Sequence, residues 1–260
     1  MNRKFHLLLA TTALLISAAS AHAAGPYERI LIPIYGAQAM PGAFGSLWTS
    51  EFIVRNNGDS YIEILQRLSG LCGTCPLPPA QPRTTLAYLA NVPNPGGGIF
   101  LYVPISGMAN ISFNARVQDV SRQALTWGTE IPIVHEREAV TGTLQLLNIP
   151  ADDRFRQTLR IYDFDGRDGA QVIVRVFPND SSTLLTQSVI TLKQGSIDDS
   201  PSPGWPAMAQ LAFADIAGAS LVNGTRLRLE IMPITPSLRI WAFVSVTNNE
   251  TQHVTTITPQ

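Results

Sequence analysis

The sequence predicts an all-β chain: two antiparallel β-sandwich domains in tandem behind a cleaved signal peptide. Three observations carry the prediction. Short runs rich in Val, Ile, Leu, Thr and aromatic residues recur along the chain, separated by Gly, Pro, Asn and Asp, the punctuation of strands and turns. One of them, Thr225-Arg226-Leu227-Arg228-Leu229-Glu230-Ile231, alternates apolar and charged residues, as a strand with one face to core and one to water must. The chain also echoes itself at a constant offset of 107 residues (48 to 155): Trp48, Ser50, Phe52, Val54 and Asn56 fall beside Phe155, Gln157, Leu159, Ile161 and Asp163.

Residues 1–23 come first. They combine Arg3, Lys4 and His6, an apolar stretch from Leu7 to Ile16, and Ala21-His22-Ala23, which is the pattern of a secretory signal peptide. That stretch falls short of the roughly 20 apolar residues that span a bilayer, and no later segment runs as long without charge or proline, so no membrane span is expected. Removing 23 of 260 residues leaves 237, room for one large domain or two small ones at about 100–200 residues each. The repeat favours two, residues 24–137 and 138–260, with a joint near His135 to Thr141.

The strands of the first half are expected at "RILIPI", "WTSEFIVRN", "SYIEILQRL", "GIFLYVPI", "ISFNARVQDV" and "TEIPIV". Those of the second are expected at "TGTLQLLNI", "QTLRIYDF", "AQVIVRVF", "TLLTQSVITL", "TRLRLEI" and "RIWAFVSVT". The halves also end alike, "ISFNARVQDV" before "GTEIPIV" matching "RIWAFVSVTNN" before "TTITP". One weak helical turn is expected within residues 207–219. A single domain of 14 or 15 strands is the competing reading. Proteolysis at a solvated Glu136-Arg137-Glu138 linker would separate the two.

In the last long strand, Trp241, Phe243 and Ser245 alternate with Ala242, Val244 and Val246, so both of its faces are expected to be buried. The amide-rich Asn248-Asn249-Glu250-Thr251-Gln252-His253 then reads as the corner that aims the closing strand Val254 to Thr258, since Asn tolerates left-handed backbone and bonds its own chain.

"MPGAFGSLWTSEFIVRN", "WGTEIPIVHERE" and "IWAFVSVTNNETQHVTTITPQ" resemble segments of a group of exported bacterial β-sandwich proteins that carry no established activity. The resemblance spans nearly the whole mature chain. It implies secretion and tandem immunoglobulin-like domains, and it brings no catalytic residues with it.

Candidate sites are few. Cys72-Gly73-Thr74-Cys75 could be a redox centre, half of a zinc site or a local disulfide. Pro76, Pro78, Pro79 and Pro82 stop the helix a thioredoxin-like centre requires, and a four-ligand zinc site would need both cysteines and both mature histidines. In an oxidising compartment a Cys72–Cys75 disulfide is the expected state, worth about 2 kcal/mol for so small a loop. Asp163-Phe164-Asp165-Gly166-Arg167-Asp168-Gly169 looks like a calcium loop but has Arg167 at a ligand position and Val174 where the closing Glu belongs. It reads better as an Asp/Gly hairpin turn.

No G-x-S-x-G elbow occurs; Gly218-Ala219-Ser220-Leu221 lacks the second glycine. A Ser-His-Asp set would have to use His135 or His253. The pairs Asp152-Asp153 and Asp198-Asp199 read as loop residues. No catalytic residue, metal or cofactor is therefore assigned. Trp48 and Trp241 lie in strand patterns and are expected in the core. Trp205, in a Pro/Gly-rich loop, and Trp127, before Gly128, are the candidates for ligand contact, with His253. Arg226, Arg228, Arg239 and Arg160 could form a basic stripe, although a solvated sheet face with paired charges is the plainer expectation.

The mature chain carries 16 Lys and Arg against 19 Asp and Glu, a net charge of −3, which excludes the concentrated basic surface that nucleic acid requires. The expectation is an exported, non-catalytic protein with a structural or protein-interaction role at the cell exterior, in periplasm, on the surface or in the medium. A glycan-binding module is the alternative and a secreted hydrolase the second. Its partner is expected to be a protein or polysaccharide at the cell exterior.

Overall fold

The structure, a computed structural model, describes residues 26–35, 39–66, 75–88, 97–122, 127–194, 196–197, 200–201, 205–217 and 224–260. The expected signal peptide, Cys72, Asp198-Asp199 and Gly218-Ala219-Ser220 lie outside the described residues.

The chain is all-β. Residues 27–135 supply β1 (Tyr27–Ile32), β2 (Met40–Pro41), β3 (Leu47–Asn56), β4 (Leu65–Gln66), β5 (Cys75–Pro76), β6 (Thr85–Tyr88), β7 (Ile99–Pro104), β8 (Ile111–Asp119), β9 (Thr129–Ile131) and β10 (Val134–His135). Then come β11 (Leu144–Ala151), β12 (Phe155–Asp163), β13 (Gln171–Pro178), β14 (Thr186–Thr191), β15 (Lys193–Gln194), β16 (Ser196–Ile197), β17 (Ser200–Pro201) and β18 (Ala207–Ala212). The helix α1 (Phe213–Ala217), β19 (Thr225–Pro233), β20 (Ile240–Asn248) and β21 (Val254–Ile257) complete the chain. The segment read as weakly helical is therefore half strand: Ala207 to Ala212 pair with β12, and ladder bonds outweigh a modest helical propensity.

Each half packs two antiparallel sheets over a core. In the first, β10-β1-β7-β4-β5 lies over β2-β3-β8-β9, with β6 also on β3. In the second, β11-β19-β13-β14 lies over β15-β18-β12-β20-β21. The 107-residue echo falls on β3 and β12. β3 pairs with β8 from Trp48↔Asp119 to Asn56↔Ile111, and β12 pairs with β20 from Phe155↔Asn248 to Asp163↔Ile240, two nine-pair ladders in matching register. In the immunoglobulin order, strands A, B, E and D share one sheet and C, F and G the other. Here the first strand of the second half, β11, lies beside β19, the fourth, β14, beside β13, and the seventh long strand, β20, beside β12, so first, fourth and seventh all stand in the sheet opposite to the one that order gives them.

Local chemistry keeps the cores apolar. In β11 the register slips by one residue between Leu146↔Leu229 and Ile149↔Leu227, with Asn148 at φ +66. This bulge turns Leu144, Leu146, Ile149 and Ala151 all inward, where strict alternation would have sent Asn148 in. The Asp163–Gly169 segment is not a hairpin turn. β12 and β13 belong to opposite sheets, so the segment is an arch from one sheet to the other. Its pivot is buried Asp163, whose Oδ1 accepts the Asp165 N–H at 2.8 Å and Oδ2 the Arg167 N–H at 2.7 Å.

One core is shared between the halves. Tyr162, Phe164, Trp205, Trp241 and Phe243 of the second half are buried with Ile30, Leu31, Ile32, Phe52 and Phe100 of the first. β20 is thus buried on both faces, as expected, and the reason is now visible. Ala242, Val244 and Val246 enter the second core, while Trp241 and Phe243 face the first half. The Tyr162 hydroxyl donates to the Pro33 carbonyl at 2.6 Å across the junction. Tyr162→Phe leaves that buried carbonyl unpaired and should cost about 1–3 kcal/mol, read as a lower denaturation midpoint; an unchanged midpoint would show the bond to be idle.

Candidate functional site

The junction is the most built part of the molecule. Arg29 on β1 reaches across it: Nη2 donates to Glu136 Oε1 at 2.5 Å and Nη1 to the Phe164 carbonyl. Arg239 approaches the same Glu136 oxygen from the second half at 3.0 Å and holds Asp165 Oδ1 at 2.5 Å. Two arginines and two carboxylates therefore interlock, with little solvent exposure on the arginines. Burial works against the Glu136 charge, yet the hydrogen bonds and charges of Arg29 and Arg239 prevail and hold its carboxyl down at about 2.

Glu136 is consequently no free linker residue. The expected solvated joint is instead a clamp: Glu138 Oε2 accepts the His135 N–H at 2.6 Å, and His135 Nδ1 lies 3.0 Å from Glu28 Oε1, which Arg137 also engages at 2.8 Å. Val140 already bridges to Ile240. A groove of about 360 Å³ beside this joint is lined by Ile133, Val134, Val140, Leu144, Trp241 and the C-terminal residues. Its one acid lining residue, Glu138, is bonded to backbone, so it offers no acid–base pair.

The far end of the junction holds the closing corner. Asn248 Oδ1 accepts the N–H groups of Glu250 and Thr251 at 2.9 and 3.0 Å, and buried Gln252 takes φ +59 with its amide on the Asn249 carbonyl. Thr247↔Val254 then starts β21. The corner reading holds, and the structure adds a contact: Arg122 of the first half donates to the Glu250 carbonyl at 2.8 Å, and Thr129 Oγ1 to the Val254 carbonyl at 2.7 Å. His253 is exposed at this corner and, among the described residues, is engaged only through its backbone, to Asn248 and Thr251.

The remaining candidates part company. Trp205 is 4 % exposed and sits in the shared core; its Pro/Gly-rich surroundings set backbone shape, not burial, and a buried indole offers no surface to a ligand. Trp127 is 76 % exposed, held by Gly128 at φ +87, where a Cβ would meet the Val117 carbonyl at 2.6 Å. The Arg116 guanidinium lies 6.0 Å from its ring. Of the cysteine pair, Cys75 is described by its backbone in β5, paired with Gln66.

No basic stripe forms. Arg226 and Arg228 stand on β19, with Arg228 on Glu230 at 2.5 Å and over the Phe177 ring. Arg160, on β12 in the opposite sheet, bonds Gln210 and Ser245. His135 and His253 have different neighbours, and neither contacts a serine hydroxyl among the described residues.

Fold and junction together define the class: an all-β protein of two joined sandwiches. No family model, curated protein or solved structure matches the chain. The class rests on this molecule's own strand order and packing.

Proposed function

We propose that the chain is an exported, non-catalytic protein of two tandem immunoglobulin-like domains, 24–137 and 138–260, released from a signal peptide at 1–23, with a structural or protein-interaction role at the cell exterior. The observation that supports this reading is the junction: aromatic core in the middle, charge clamp at one end, corner contacts at the other. Such an interface holds two sandwiches at one angle and presents their outer sheets as a single fixed surface. Its charges neutralise one another rather than face a cavity. No helix among the described residues is long and apolar enough to cross a membrane.

Fractionation of the producing cell followed by crosslinking tests the proposal. The mature chain is expected in the envelope or medium, crosslinked to envelope proteins. Retention in the cytoplasm, or hydrolysis of ester or glycoside substrates lost on changing His135 or His253, would overturn it.

The exposed Trp127 favours glycan binding as a second reading, because an indole beside Arg116 could stack on a sugar ring. Trp127→Ala should leave stability within about 0.5 kcal/mol. Binding to a polysaccharide panel that vanishes in this variant establishes the second reading; no binding by the parent protein removes it.

A further inference from the structure

Arginines in this molecule are usually paired: eight of them hold a carboxylate within 3.8 Å. Arg160 on β12 holds none among the described residues. Its Nε donates to Gln210 Oε1 at 3.1 Å and its Nη1 to Ser245 Oγ at 2.8 Å, and the guanidinium lies 5.6 Å from the Phe243 ring centroid. Nη2 has no hydrogen-bond partner among the described residues. Every group that Arg160 touches is neutral. Burial works against its charge, and the one ionisable group that opposes burial is the Tyr162 phenol, not a carboxylate. An arginine cannot shed its proton to escape this cost, and a desolvated cation is expensive until an opposite charge joins it.

The ladder places further polar groups beside it. Gln210 of β18 and Phe243 of β20 lie opposite Arg160, and Thr158 lies opposite Ser245. Arg156, Thr158 and Arg160 alternate along β12 and so share one face. That face is the one turned to the first half, where the Phe44 ring lies 5.7 Å from Arg156. All three are half-buried, and Gln210 is exposed. Arg156 is also held by neutral groups, Asn249 Oδ1 at 3.1 Å and Gln252 Oε1 at 2.5 Å. The carboxylate that acts on it, Asp119, is already shared with Arg122.

We propose that Arg160 anchors an oxyanion-binding site at the edge of the junction. The ligand is a carboxylate, phosphate or sulfate group, which supplies the counter-charge that the chain does not. Arg160 Nη2, the Gln210 Nε2 amide and the Thr158 hydroxyl are its donors, because Gln210 spends its oxygen on Arg160 and keeps its amide for the anion. Four residues of strand set Arg156 roughly 13 Å away, so Arg156 adds to the field at the site without touching the same anion. The inference fails separately from the export reading: a chain that binds no anion is exported and crosslinked as before.

The test follows the arginine Nε–Hε and backbone amide resonances of the mature protein, residues 24–260, during titration with sodium sulfate, phosphate or glutarate against sodium chloride at equal ionic strength. The Arg160 Nε–Hε signal should shift saturably, half-complete at about 1 mM or below, and chloride should not reproduce the shift. Saturation by sulfate and phosphate alone assigns the site to a free tetrahedral anion; saturation by glutarate assigns it to a carboxylate. In Arg160→Gln the saturable shifts of the Thr158 and Ser245 amides should vanish. Arg156→Gln should weaken binding by about threefold through the lost field, and Arg226→Gln, on the opposite sheet, should leave it unchanged. A parent response that is linear or equalled by chloride overturns the proposal, as does saturation that survives in Arg160→Gln. Should that variant fail to fold, the parent titration decides by itself.

Discussion

Phe243→Ala is expected to lower stability by about 3–5 kcal/mol, the cost of a large cavity in a closed core. Phe243 is fully buried on the face of β20 turned toward the first half. Its ring lies 5.5 Å from Trp241 and 6.4 Å from Tyr162, and the Arg160 guanidinium sits 5.6 Å away. Because that cavity opens in the shared core, the halves should also uncouple, so that calorimetry resolves two transitions in place of one. Leu229→Ala is the control. It lies in the second core alone, costs about 2–5 kcal/mol, and should lower the single transition without splitting it. If Phe243→Ala unfolds in one step with the parent's midpoint, the shared core does not couple the halves.

Acid should loosen the same junction from its charged end. Glu136 has its carboxyl held at about 2 against an ordinary 4.5. A depressed carboxylate contributes stability that is complete above 4.5 and is lost as pH falls toward about 2. Glu136→Gln should therefore be less stable than the parent at neutral pH, with two arginines facing an uncharged amide, and the difference should close as pH falls through that window. Urea midpoints at several pH values measure it, and protease cleavage at Arg137 should quicken in the variant at neutral pH. A gap between variant and parent that is constant with pH would show that the clamp's charge contributes nothing.

Most of the fold was legible because strand signals are local. Thr225 to Ile231 announce β19 by alternation, and the Trp48/Phe155 offset falls on strands that occupy the same place and register in each half. The arch at Asp163–Gly169 reads as a hairpin for a physical reason: glycines at left-handed positions and aspartates that bond nearby backbone serve a hairpin and a sheet-to-sheet crossing equally, and only the partners of β12 and β13 tell them apart. The Pro/Gly-rich setting of Trp205 points to an exposed ligand contact, but the indole is buried in the shared core. Arg29, Glu136, Asp165 and Arg239 were not read as a unit, since they lie 107, 136 and 103 positions apart (29 to 136, 29 to 165, 136 to 239) and no local pattern links them.

What the sequence determined by itself was the alphabet of the fold: which segments are strands, that the last long strand is apolar on both faces, and that Asn248–His253 is a corner. Those properties follow from side-chain periodicity and backbone preference, which act over a few residues. Tertiary structure alone decided what the second apolar face of β20 meets and which charges neutralise one another at the joint. Each of these depends on surfaces brought together from opposite halves of the chain, and burial, unlike alternation, is a property of the assembled surfaces.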